Sequence, residues 1–140
     1  GINIVNGASH TARTFVPAVH GFIDTIREGQ PETPILVISP VSCPAHESNP
    51  GPSMTDAQGK VAGQQPTEHS WIGELTLAGI RTMLISVVET RGAADPNIHY
   101  LDGLELFNHD DALTMPDGIH PDAAGYALIA RNFVERFPRA

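Results

Sequence analysis

Apolar positions recur at helical spacing in three stretches of this chain and run together without interruption in a fourth. Phe15, Val19, Phe22, Ile23 and Ile26 fall on one side of a helix predicted from Thr14 to Gly29, since residues three and four apart share a helix face. Thr14 offers an N-cap oxygen, Pro17 suits a first turn, and Gly29 ends the segment. A longer helix is predicted from Trp71 to Arg91, with Ile72, Leu75, Ile80, Met83, Leu84, Val87 and Val88 inward and Gly92 as its stop. A last helix runs from about Asp122 to Phe137, opened by Pro121 and Asp122, with Tyr126, Ile129, Ala130, Phe133, Val134 and Phe137 inward. Ile35-Leu36-Val37-Ile38 is wholly apolar, largely β-branched and fenced by Pro34 and Pro40. That pattern predicts a strand buried on both faces of a parallel sheet. A second strand is predicted at Ile98 to Leu101.

Helices alternating with such strands indicate an α/β fold with a parallel sheet. Two strands make a thin sheet for this much helical apolar surface. The expectation is therefore a domain whose innermost strands lie upstream, with Gly1 to Val5 as the tail of one of them and the turn leaving it. A chain standing alone in this way would bury its open faces by forming a homo-oligomer or by associating with the missing N-terminal part. Val41 to His69, rich in Pro, Gly, Ser and Gln, has no periodicity and reads as a long binding loop. It leaves the carboxyl end of a strand, where open parallel sheets bind ligands.

Composition narrows the function classes. The chain has 140 residues, 41% hydrophobic and 17% charged, as an ordinary single globular domain has. A single Cys excludes a disulfide scaffold and fits a reducing compartment such as the cytoplasm. The net charge of -8, without a basic cluster, argues against a nucleic-acid partner. No apolar run approaches the roughly 20 residues of a membrane span.

The chemistry concentrates at Asp117-Gly118-Ile119-His120-Pro121. A carboxylate and an imidazole three residues apart, just ahead of a helix, can meet across one tight turn. The Asp then accepts the Nδ1 proton, fixes the tautomer and leaves Nε2 as a general base. By spacing alone, an Asp that caps a turn beside a surface His explains the stretch equally well. Asn108-His109-Asp110-Asp111 could offer a cation an imidazole and a carboxylate, but no second cluster completes a site, so it reads as a solvated acidic turn. No metal or cofactor is expected. Cys43 and His46 form no credible thiolate pair, lacking an electropositive setting. They are expected to wall the substrate pocket.

The run from Asp117 through His120-Pro121 to Gly125-Tyr126 resembles the final sequence block of the SGNH, or GDSL-type, hydrolases, in which a DxxHP motif supplies the Asp and His of a Ser-His-Asp triad. Gly1-Ile2-Asn3 resembles that family's GxND block, with Ile4 where the family has Asp. The resemblance implies a flavodoxin-like SGNH three-layer α/β fold of which residues 1–140 are the carboxyl-terminal part. It implies His120 as base, Asp117 as orienting acid and Asn3 as an oxyanion-hole donor. It further implies a serine-type esterase, lipase or deacetylase whose partner is a small-molecule acyl ester. The family's nucleophile block, GDS, is absent. None of Ser9, Ser39, Ser42, Ser48, Ser53, Ser70 and Ser86 sits on a strand-to-helix elbow, so this stretch by itself is expected to be inactive. An acyltransferase using the same site, or a non-catalytic chain that binds ligand through the Val41 to His69 loop, are the alternatives.

Overall fold

The computed structural model describes residues 1–66 and 73–136. In chain order the elements are α1 (Ile2–Asn6), α2 (Ala12–Gly29), β1 (Ile35–Ile38), β2 (Met54–Thr55), β3 (Val61–Ala62), α3 (Leu77–Gly92), β4 (Ile98–Leu101), a 3₁₀ turn (Gly103–Glu105), α4 (His109–Ala112) and α5 (Ala123–Arg136). The protein has an α/β fold. β1 and β4 pair in parallel, with Ile35 opposite Ile98 and Ile38 opposite Leu101, and α3 carries the chain between them. β2 and β3 form a separate antiparallel ribbon inside the segment expected to be loop.

The main core lies where α2 and α3 cover one face of the β1–β4 pair. Ile23, Val87, Val88 and Ile98 form one buried cluster, against which Ile35 and Val37 pack. Phe15, Leu75, Leu77, Ile80 and Leu84 form the other, joined by Val5, Cys43 and Ile119. Successive strand residues point to opposite faces, so Leu36 and Ile38 turn away from this core. Ile38 is 43% exposed. The expectation of a strand buried on both faces is thus corrected: the second face leaves Leu36 half-buried and Ile38 exposed, although Leu101 beside Ile38 on β4 is buried.

Helix boundaries moved where caps decided them. α2 starts at Ala12, because Thr11 rather than Thr14 is its N-cap; the Thr11 amide donates to Thr14 Oγ1 at 3.0 Å. Pro17 consequently lies beyond the first turn, and Phe22, expected inward, is 69% exposed. α3 starts at Leu77, where the Thr76 hydroxyl accepts from the Gly79 amide at 3.1 Å. Leu75 is buried ahead of the helix, while Trp71, Ile72 and Phe137 lie outside the described residues. On α5 the half-buried side is Leu128, Ile129, Asn132 and Phe133. Tyr126 and Val134 are exposed, contrary to the inward set read from spacing. Gly1 to Val5 is no strand tail, since the Ile4 and Val5 amides both close a helical turn onto the Gly1 carbonyl.

Candidate active site

The loop between α4 and α5 brings Asp117 and His120 together. His120 Nδ1–H donates to Asp117 Oδ2 at 2.7 Å. The other carboxylate oxygen accepts the amides of Ile119 at 2.9 Å and His120 at 2.8 Å. This is an Asx-type turn closed by its own side chain. Gly118 supplies the residue that such a turn needs with positive φ, at +82°. The hydrogen bond from the His120 ring, followed by the two amides, holds the Asp117 carboxyl well below its ordinary value of 3.8. Asp117 is therefore an anion, and Nδ1 of His120 is the protonated nitrogen. Among the described residues Nε2 has no hydrogen-bond partner, and the His120 side chain is 71% exposed.

The loop is fastened from two directions. The Val61 amide on β3 donates to the Asp117 carbonyl at 2.9 Å, so the ribbon props the carboxylate's own backbone. Cys43 Sγ–H donates to the Gly118 carbonyl at 3.5 Å. On the far side Asp122 Oδ1 accepts the Gly125 amide at 2.8 Å, starting α5 directly after the His-Pro pair.

Beside His120 opens a cavity of about 250 Å³, walled by Ile2, Val41, Cys43, Met115, Ile119 and Ile129 among others. Cys43, expected from the sequence to wall a substrate pocket, stands in the wall of this cavity. Burial, more than any other influence, pushes the Cys43 thiol up from its ordinary value, and nearby Glu47 and Asp117 charges push the same way. A neutral thiol that donates to a carbonyl is a wall residue and a poor nucleophile.

His46 departs from that expectation. It is 0% exposed, its Nδ1 donates to the Asn49 carbonyl at 3.1 Å, and its Nε2 hydrogen-bonds Ser53 Oγ at 2.5 Å. It is absent from the cavity wall and pins the segment that follows Cys43 instead. Asn3 is exposed on α1, one residue past Ile2, which lines the cavity. The structure thus brings His120 and Cys43 to one space with Asp117 held against His120, leaves Asn3 exposed on α1 and withdraws His46 into the interior.

Sequence reasoning missed the residue that fixes the opposite wall. Arg81 is buried on α3; its Nε donates to the Pro40 carbonyl at 2.9 Å, and Nη2 to the Val41 carbonyl at 3.3 Å and to Glu47 at 2.9 Å. A lone Arg amid Leu77, Ile80, Leu84 and Val88 was the available signal, because a charge on an inward face requires a partner.

His109 follows the Asn108 N-cap, whose Oδ1 accepts the Asp110 and Asp111 amides at 2.8 and 3.1 Å. Its Nδ1 shares a hydrogen bond of 2.8 Å with Ser42 Oγ. Among the described residues no group of three His, Cys, Asp or Glu side chains is arranged to hold a metal. No helix among them is long and apolar enough to cross a membrane. No serine among them hydrogen-bonds to His120.

No family model matches the chain, and no curated protein does. Among solved structures it is similar to a salicylyl-acyltransferase, SsfX3, from a tetracycline biosynthetic pathway. The two share 27% identity with a TM-score of 0.62, over 88% of this chain and 31% of that one. The chain spans about a third of the length of that enzyme. The likeness supports an enzyme-like α/β fold.

Proposed function

We propose that this chain is the carboxyl-terminal part of an SGNH-type hydrolase domain, and that the full-length protein is a serine-type ester hydrolase. The observation that carries this reading is the Asp117–His120 pair: an ionised carboxylate fixes the Nδ1–H tautomer and leaves Nε2 facing outward, beside an apolar cavity. In the proposed reaction a serine from outside residues 1–140 attacks the ester carbonyl while His120 Nε2 takes its proton. Asp117 stabilises the imidazolium, and Asn3 donates to the oxyanion. His120 then returns the proton to the leaving alcohol, and water resolves the acyl-enzyme. The partly exposed Leu36–Ile38 face of the sheet supports a further covering layer or a second copy packing there.

Acyl transfer is the second reading, favoured by the acyltransferase among similar structures. It differs only in whether an acceptor alcohol or water attacks the acyl-enzyme. A fluorophosphonate probe tests the shared mechanism. The full-length protein is expected to label on one serine, with labelling lost in His120→Ala; absence of labelling in the intact protein overturns the proposal. Product analysis with and without an added alcohol then separates transfer from hydrolysis.

A further inference from the structure

The cavity beside His120 carries information about the substrate beyond its being an ester. At about 250 Å³, and with roughly 30 Å³ for a water-sized group in a condensed phase, it accommodates on the order of eight non-hydrogen atoms. Ile2, Met115, Ile119 and Ile129 make most of its surface apolar. Among the described residues that line it, none is Asp, Glu, Lys or Arg. His120 and Tyr126 stand on its rim, and of the polar side chains along its inner wall Cys43 donates to the Gly118 carbonyl and Ser42 is hydrogen-bonded to His109. A charged group placed against the apolar wall, away from His120, would lose its hydration and gain no counter-ion, which costs far more than the apolar contact returns. An apolar group loses nothing of the kind and removes the isoleucine and methionine side chains from water.

We infer that this cavity receives a compact, uncharged, apolar group of the substrate, small enough to exclude long acyl or alkyl chains. The name "ester" rests on the proposed function; the recognition of a small apolar group does not. The same chemistry could belong to the acyl half or the alcohol half of the ester, and the probes are chosen to tell these apart.

The test is methyl NMR on the full-length protein, with any fluorophosphonate-reactive serine replaced by Ala so that the esters persist, and with labelled Ile and Met methyl groups. Methyl hexanoate presents the bulk on the acyl side, hexyl acetate on the alcohol side, monomethyl adipate adds a distal carboxylate, and methyl dodecanoate exceeds the volume. Saturable shifts are expected at Ile2, Met115, Ile119 and Ile129 with whichever of the first two esters carries its bulk on the recognised half. Monomethyl adipate and methyl dodecanoate are expected to bind about tenfold or more weakly. Ile129→Trp, which fills the space, should weaken binding by about the same factor, and Met115→Ala, which enlarges it, should narrow the gap to the longer chain. No saturable shift, equal binding of the adipate, or unchanged affinity in both variants overturns the inference. Its failure is distinct from that of the catalytic reading. Shifts without serine labelling in the full-length protein sink the reading and keep the pocket, whereas labelling without shifts does the reverse.

Discussion

Two histidines, each set in a loop and each hydrogen-bonded through Nδ1, end in opposite circumstances. His120 meets a carboxylate, is 71% exposed and keeps Nε2 unpartnered among the described residues. His46 meets a backbone carbonyl, is 0% exposed and has Nε2 occupied by Ser53. The difference teaches that a proton-transferring imidazole requires a charged partner on one nitrogen and access at the other. With both nitrogens satisfied inside, the same ring is a structural peg. Removing each should therefore move different observables.

The largest effect is expected at the exposed ring. In the full-length protein His120→Ala should lower kcat by on the order of 10⁵-fold or more, with little change in urea midpoint, since few contacts are lost. Asp117→Asn should lower it by about 10⁴-fold by admitting the wrong tautomer. Near-normal kcat in His120→Ala would remove the distinction between the two histidines. Asn3→Ala should follow at about 10²- to 10³-fold in kcat, the scale of one oxyanion donor. An effect confined to KM would return Asn3 to the surface of α1.

At the buried ring the prediction changes currency. His46→Ala should leave a cavity and strand Ser53 Oγ and the Asn49 carbonyl, costing about 2–4 kcal/mol by equilibrium urea unfolding. A variant as stable as the parent would show that burial of His46 contributes nothing.

The smallest effect sharpens the role of the carboxylate. Its folded pKa is depressed below the ordinary 3.8, chiefly by the His120 hydrogen bond. The sign follows from linkage: its contribution to stability is complete above the ordinary value and is lost only as pH falls toward the depressed one. Carbon-detected NMR should find Asp117 still ionised at about pH 3, where an ordinary Asp is largely protonated. His120→Ala should bring the midpoint back toward the ordinary value. An Asp117 that already titrates there in the parent would mean that the pair is not held together in solution.

What the chain specified locally was legible in its order. The apolar run Ile35 to Ile38, the pairing partner Ile98 to Leu101 and the bodies of three helices follow from side-chain periodicity, which acts over a few residues. The Asp117–His120 contact was legible for the same reason, because three residues and a glycine with positive φ close it without help from elsewhere. Tertiary structure decided the remainder. Thr11, next to an Ala12 amide that donates to the distant Gly73 carbonyl at 2.7 Å, displaced Thr14 as the cap of α2. The two-residue strands of the ribbon, too short to carry a period, form where Val61 can hold Asp117. Cys43 went into the cavity wall because its partner, the Gly118 carbonyl, lies in another part of the fold, whereas His46 went inward on the nearby Asn49 and Ser53. Arg81 joined α3 to the Pro40 and Val41 carbonyls about forty residues away, a pairing that no local pattern encodes, since a buried charge is tolerated only where the folded chain already supplies acceptors such as these and Glu47.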